Sequence, residues 1–344
     1  MLIQADARAI PLADGCVQCV VTSPPYFGLR DYGTAAQIGL EPTPDAYVQQ
    51  IVAVFREVRR VLNDDGTLWL NLGDSYAANQ SNNGGYSAKS TLAGFSRADT
   101  KGRQMNDAGE RRRIDHGAKP KDLLGIPWRV AFALQSDGWY LRSDVIWHKP
   151  NPMPESVTDR PTKAHEYIFL LTKSARYYYD SAAIREPYAA STLTQFDTAY
   201  TGQGTKDYAA SGVQNPSDIK RRITDKQRGH SRRHAGFNDR WDAMPKDAQQ
   251  ASGANKRSVW TVATMPYSGA HFATMPEKLV EPCILAGSRI GDRVLDPFMG
   301  SGTVGAVAER LGRRWVGLDL NPAYHKLAKK RTAQRGIPFS LEVA

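Results

Sequence analysis

The sequence predicts an α/β fold, a doubly wound mixed sheet interrupted by an inserted region, and three observations predict it. The apolar run Val17 to Val21, a helical apolar face from Tyr47 to Leu62 and the run Thr67 to Leu72 follow one another at the spacing of a βαβ unit. A second strand, glycine loop, helix, strand, helix series occupies 293 to 331, so late that its remaining strands must come from the N-terminal half. Between them, 79–121 and 181–258 are rich in Gly, Ser, Asn and Gln and lack apolar periodicity. A chain of 344 residues, 41% hydrophobic, suffices for one large domain and a smaller accessory region.

Residues 16–22 read as a buried strand that Pro24-Pro25 must end. Thr43 as cap and Pro44 in the first turn open a helix with the apolar face Tyr47, Ile51, Val54, Phe55, Val58, Val61 and Leu62. Asn63-Asp64-Asp65-Gly66 is expected to stop it before a strand over 67–72. Helical periodicity runs from Leu123 to Leu134, and apolar strands are expected at Leu141–His148 and Tyr167–Thr172. Between these strands, three prolines in Lys149-Pro150-Asn151-Pro152-Met153-Pro154 suggest a rigid loop over a site. A helix from about Glu277 to Ala286 precedes the strand Arg293–Asp296, a helix through Arg310, the strand Trp315–Asp319 and a last helix from Pro322 to about Arg331.

The expected division is 1–78 and 122–180 for one half of the main domain with its pocket, 259–344 for the other half, 79–121 for a flexible basic insertion and 181–258 for a basic recognition region. The net charge of +10 is confined to the two insertions, which carry +5 each, while the rest of the chain balances. Such segments resemble surfaces that contact a polyanion backbone. No apolar run approaches a membrane span, and Met1 to Asp6 lacks the regions of a signal peptide, so a cytoplasmic location without membrane association is expected. Three cysteines, Cys16, Cys19 and Cys283, exclude a disulfide framework, and the Cys16-Cys19 pair has no second pair to complete a zinc site. No metal is expected.

Asp296-Pro297-Phe298-Met299-Gly300-Ser301-Gly302-Thr303 ends a strand with a glycine turn, where a Cβ would collide with a ligand or forbid the dihedrals. Asp319 ends the next strand, twenty-three residues after Asp296, where a carboxylate accepts the hydroxyls of an adenosine ribose. Gly300, Gly302 and Gly305 also satisfy the dinucleotide pattern. Two features oppose NAD: Asp296 would repel a pyrophosphate but attract the ammonium and sulfonium of S-adenosyl-L-methionine, and only about 25 residues follow Asp319.

At the other end of the chain, Thr22-Ser23-Pro24-Pro25-Tyr26 closes a strand. An exocyclic amine is a poor nucleophile because its lone pair is delocalised into the ring. Accepting its N–H bonds localises that pair; the Ser23 hydroxyl and the Pro24 carbonyl are suitable acceptors, and the prolines hold them rigid. Tyr26 offers a face on which a planar base stacks. No general base of unusual pKa is required.

These motifs resemble those of the amino-methylating DNA methyltransferases of the circularly ordered β group, over most of the chain outside the basic stretches. The resemblance implies a Rossmann-like class I methyltransferase fold, S-adenosyl-L-methionine as cofactor, and catalysis by Ser23, Pro24, Pro25 and Tyr26. It implies cofactor contacts from Asp6, Thr22, Thr274, Met275, Pro276, Asp296, Phe298, Gly300, Ser301, Gly302, Thr303 and Asp319, with Asp6 at the adenine amine. His271 to Lys278 is similar to the segment that closes over the methionine end. Trp147, Lys149 and Asn151 fall in the loop that walls the target-base pocket, and 181–258 lies where the family keeps target recognition, with Lys220, Arg221, Arg222, Arg232 and Arg233 as DNA contacts. Duplex DNA, a homodimer and a separate cognate restriction endonuclease are the partners it implies.

Ser before the prolines favours N4 of cytosine, N6 of adenine being the alternative, for which Asp or Asn is more usual there. Methylation of a protein glutamine or an RNA base, and a regulator that has lost catalysis, are the rivals; intact Ser23, Tyr26, Asp296 and Asp319 oppose the last. Pro282-Cys283 has the order of a C5-cytosine nucleophile, but it sits in an expected helix thirteen residues before Asp296, so Cys283 is read as core.

Overall fold

The computed structural model describes residues 1–29, 37–77, 118–188, 252–265 and 274–333, with positions 245 and 248. In chain order its elements are β1 (Leu2–Gln4), β2 (Val17–Thr22), α1 (Pro44–Val61), β3 (Leu62–Leu72), α2 (Ile126–Ser136), β4 (Tyr140–His148), β5 (His165–Thr172), β6 (Val259–Thr261), α3 (Glu277–Gly287), β7 (Arg293–Asp296), α4 (Thr303–Arg310), β8 (Arg314–Asp319) and α5 (Pro322–Ala333). They belong to one unit, Met1–Tyr179 with Ser258–Ala344; Asp180–Arg257 forms a second. In the second, Glu186 and Ala254 exchange backbone hydrogen bonds of 2.9 and 2.8 Å, and the Glu186 carboxylate pairs with Lys256 and Arg257.

The strands form one mixed sheet in the order β1-β8-β7-β2-β3-β5-β4-β6. β1, β8, β7, β2 and β3 are mutually parallel, and β5 runs against both β3 and β4. Because β5 is reversed, its first residues lie at the edge where β2, β3 and β4 end. Both faces are covered. Val20, Leu68, Leu70, Leu72, Phe169 and Leu171 share a core with Tyr47, Ile51, Phe55 and Val58 of α1 and Val130 and Leu134 of α2. The alternate residues Cys19, Thr67 and Trp69 meet Gly287 of α3 on the opposite face.

α1 forms as its sequence signals require. Thr43 is extended and its hydroxyl accepts the Ala46 N–H at 3.1 Å, and all seven expected apolar-face residues are buried. Four elements differ from expectation. β3 begins at Leu62: its partner advances from Val17 to Cys19 while β3 advances from Leu62 to Thr67, so Asn63 to Gly66 bulge out instead of separating helix from strand. α2 begins at Ile126, because Gly125 is left-handed and Asp74, fifty-two residues earlier, accepts the Ile126 N–H at 2.9 Å. β1 and β6 are three-residue strands that exist through pairing with β8 and β4, too short to show a period.

No helix among the described residues is long and apolar enough to cross a membrane, and no group of three or more His, Cys, Asp or Glu among them is placed to hold a metal ion. Cys19 and Cys283 are buried thiols outside any disulfide; burial pushes Cys19 up to about 12, and the Cys283 Sγ donates to Leu279 O within α3 at 3.3 Å.

Candidate functional site

Connections lead from β2 to β3 on one side and from β7 to β8 on the other, so the strand order reverses between β7 and β2. Such a switch point opens a crevice at the carboxyl ends of the strands. Thr22 ends β2 and Asp296 ends β7, and the Thr22 hydroxyl donates to Asp296 Oδ1 at 2.7 Å. The two motifs, 274 residues apart in sequence, thus touch.

Asp296 Oδ1 also accepts the Phe298 N–H at 3.1 Å. Asp319, at the end of β8, accepts Gly300 N–H on Oδ2 at 3.0 Å and Asn321 N–H on Oδ1 at 2.8 Å. Burial raises both carboxyls, Asp296 to about 7 against its hydrogen bonds to Thr22 and Phe298, with the Asp319 charge a further push upward. Two carboxylates that resist ionisation in one crevice favour a ligand bearing positive charge and hydroxyl donors. Gly300 and Gly302 have φ of +49° and +81°. A Cβ on Gly302 would lie 2.8 Å from the Ala328 Cβ, so both its backbone dihedral and the packing of α5 demand glycine there.

Ser301 and Thr303 are buried, and the Arg331 guanidinium donates to their hydroxyls at 3.0 and 2.7 Å while pairing with Glu277 at 3.3 Å. Both side chains therefore tie the loop to α5. Thr274 and Met275 are half-buried ahead of α3, whose first turn the Pro276 carbonyl caps by accepting Leu279 N–H at 3.0 Å. Asp6 follows β1 and is held by Arg8 on both oxygens, at 3.0 Å from Nε and 2.6 Å from Nη2; this pairing holds its carboxyl below the usual range. An adenine amine at Asp6 would share a carboxylate already paired.

Past Thr22 the chain enters the second half of the crevice. The Tyr47 hydroxyl on α1 donates to Pro25 O at 2.8 Å and locks the peptide between Pro25 and Tyr26. The Ser23 hydroxyl donates to Tyr26 Oη at 3.4 Å, and Tyr26 Oη donates to Glu166 Oε2 at 2.6 Å. Asn71 of β3 donates to the same Glu166 oxygen at 3.1 Å, and Lys149 pairs with Oε1. Burial, and then the Glu166 charge, push the Tyr26 hydroxyl well above 10. One side of the Tyr26 ring lies against Gly73, where a Cβ would come within 2.5 Å of Cε2.

Lys149 Nζ also sits 4.4 Å from the centre of the buried Trp147 ring, whose Nε1 donates to Val262 O at 2.8 Å. Asn151 exchanges two hydrogen bonds with the Thr264 backbone, fixing the proline-rich loop to the segment after β6. Lys149 thus reaches the Tyr26 network through Glu166, whereas Trp147 is buried against Val262 and Asn151 is tied to Thr264. Lys220, Arg221, Arg222, Arg232 and Arg233 lie outside the described residues, as do His271 to Ala273 and most of 79–121.

Glu166, Asn71, Gly73 and Arg331 were not identified from the sequence. The signal for Asn71 was a polar side chain in the apolar end of an expected strand, which costs free energy unless it finds partners, whereas Glu166 lies before the expected start of its strand at Tyr167, and β5 begins two residues earlier, at His165.

A family model described as DNA methylase matches residues 17–330. The Type II methyltransferase M.Cfr9I of Citrobacter freundii is 44% identical over 332 residues, 96% of this chain and 86% of the relative. M.SmaI of Serratia marcescens, also a Type II methyltransferase, is 44% identical over 340 residues, 97% of this chain and 91% of its own. Among solved structures, the PvuII DNA methyltransferase, named as cytosine-N4-specific, superposes with a TM-score of 0.54 at 16% identity, covering 98% of this chain and 87% of that one. A provisionally assigned DNA modification methylase of Thermus thermophilus, complexed with S-adenosyl-L-methionine, gives 0.52 at 23% identity, covering 98% and 95%. The fold is therefore that of class I DNA methyltransferases.

Proposed function

The chain belongs to the DNA methylase family that modifies exocyclic amines, and on that premise we propose that it methylates N4 of cytosine in duplex DNA, using S-adenosyl-L-methionine. The observation that carries this reading is the Thr22 to Asp296 hydrogen bond of 2.7 Å. It sets the residue before Ser23-Pro24 against the first carboxylate of the cofactor crevice, so the amine acceptors and the methyl donor's site share one wall.

The residues fit that cofactor. Asp319 is placed for the ribose hydroxyls, Asp296 for the positively charged methionine end, and Thr274, Met275 and Phe298 for apolar contact; Asp6 takes the adenine amine in competition with Arg8. When bound, the cofactor supplies an electrophilic methyl group. Ser23 Oγ and the Pro24 carbonyl accept the two N–H bonds of the target amine, localising its lone pair. The base leaves the helix stack to reach them and stacks on the half-buried Tyr26. Trp147, Lys149 and Asn151 wall the pocket. Ser23, where adenine enzymes of this resemblance more often carry Asp or Asn, supports cytosine over adenine.

The test is methyl transfer from labelled cofactor to duplex DNA, followed by digestion to nucleosides and mass identification. N4-methylcytosine is expected. N6-methyladenine would overturn the base assignment, and no transfer by folded, cofactor-binding protein would overturn the activity. Ser23→Ala should cut turnover by about 100-fold with cofactor affinity kept.

A further inference from the structure

The geometry points to Glu166 as a positioning residue that orients the Ser23 hydroxyl and takes up, through Tyr26, the proton that methylation releases. This rests on the amine-methylating reading above and extends it to residues outside the Ser-Pro-Pro-Tyr motif.

The direction of the hydrogen bonds carries the inference. A carboxylate only accepts, and Glu166 is surrounded by donors: Lys149 on Oε1, Tyr26 and Asn71 on Oε2 at 2.6 and 3.1 Å. Tyr26 has one hydroxyl proton. Its acceptors are Glu166 Oε2 at 2.6 Å and Asn71 Oδ1 at 3.2 Å, and the shorter, charge-assisted bond takes it. The Tyr26 lone pairs are then left to accept from Ser23, which donates to them at 3.4 Å. That distance is long for an O–H bond. With its proton directed at Tyr26, Ser23 Oγ presents lone pairs to the crevice, the polarity an amine donor requires. Without Glu166 the Tyr26 proton would be left to the longer, uncharged contact with Asn71 Oδ1 at 3.2 Å, and its hold on the direction of the Ser23 proton would weaken.

The same chain balances the proton. Methyl transfer would form an N–C bond as the methyl's bond to the sulfonium sulfur breaks, the sulfur leaving as a neutral thioether with the electron pair, and the base nitrogen is left one proton in excess of the neutral product. That proton passes to Ser23 Oγ as Ser23 gives its own to Tyr26 Oη, and Tyr26 gives its own to Glu166. Water later removes it. Each oxygen ends with its original number of protons, and no further reactant is needed. Glu166 reaches this position because β5 alone runs against its neighbours, bringing its first residues to the edge where β2 and β3 deliver Ser23 and Asn71. Lys149, stacked on Trp147, and the Asn71 amide, also bonded to Tyr167 O at 3.1 Å, fix the carboxylate.

The experiment compares wild type, Glu166→Gln, Tyr26→Phe and the double variant, measuring kcat, KM for DNA, cofactor Kd by calorimetry and Tm. Gln keeps the shape of Glu166 without its charge, and Phe keeps the Tyr26 ring without its hydroxyl. Each single variant should lose about 100-fold in kcat with cofactor Kd and KM for DNA nearly unchanged, and the double variant should be no slower than the slower single. Full kcat in either variant, a loss appearing in KM, or two losses that multiply would overturn the inference. If Glu166→Gln costs the fold, as Tm would show, Tyr26→Phe decides alone. Wild-type inactivity on DNA would overturn the underlying reading, whereas an active wild type with an active Tyr26→Phe overturns only the relay.

Discussion

Asp296 is a carboxyl whose environment works against its charge. Burial raises it from 3.8 to about 7, and although Thr22 and the Phe298 N–H favour the ionised form, they do not offset desolvation. Between those values the folded chain holds a proton that the unfolded chain has released, so stability falls as pH rises from about 4 to about 7. A shift of this size is worth up to about 4 kcal/mol. Asp319, also raised, contributes in the same direction, while carboxyls held low by arginine partners, such as Asp6 and Glu57, lose their contribution only in acid. The difference in urea midpoint between wild type and Asp296→Asn should therefore widen in favour of the variant from pH 5 to pH 8. A difference independent of pH would refute the assignment. A cation in the crevice reverses the balance, so affinity for S-adenosyl-L-methionine should increase through pH 7 in wild type and stay flat in Asp296→Asn. The residues behind this behaviour were legible in the sequence, since Asp296, Asp319 and Ser23 stand at strand ends beside glycines or prolines. Glu166 and Asn71 were not. Each stands near one end of a strand whose middle is apolar, and what defines them is a partner in another strand.

Elements carry the site by how closely they approach one another. Gly302 joins the loop after β7 to α5 at a distance that leaves no room for a methyl group, with φ of +81° and the Ala328 Cβ 2.8 Å from where its own would stand. Arg331, one turn further along α5, binds Ser301 and Thr303, so α5 and the loop move as a unit. Gly302→Ala should cost about 1–3 kcal/mol through strain and overpacking. It should also weaken cofactor binding, because relief of the clash displaces the Gly300 N–H that orients Asp319. A variant with unchanged Tm and cofactor Kd would refute this coupling. The sequence predicted that glycine is needed here; the reason lies in a helix twenty-six residues away. The same holds of α2: its periodicity was visible, but its start depends on Asp74, a cap supplied from the end of β3. Long periodic elements such as α1 announce themselves, while β1 and β6 arise only once a neighbouring strand is in place.

On the scale of the whole chain, the order of motifs and the order of strands differ, and that difference makes the crevice. β7 and β8 come last in sequence yet lie between β1 and β2 in the sheet, while Asp180–Arg257, between β5 and β6, leaves and rejoins the sheet unit. Within Asp180–Arg257 the departing and returning segments are bound together by the Glu186–Ala254 bridge and the ion pairs of Glu186, so a long excursion begins and ends at neighbouring points. Closing a loop costs free energy that grows only slowly with its length, so such an insertion is tolerated. The excess charge of the chain lies in its two basic stretches, 79–121 and 181–258. If Lys220, Arg221, Arg222, Arg232 and Arg233 neutralise phosphates, replacing all five with Gln should reduce the slope of log K against log salt by about 4 to 5. Binding should weaken on every duplex alike, while cofactor Kd, which depends on strand ends in the other unit, stays as it was. A loss confined to duplexes of one sequence would instead make these residues base readers, and an unchanged salt slope would place the DNA-binding surface elsewhere on the chain.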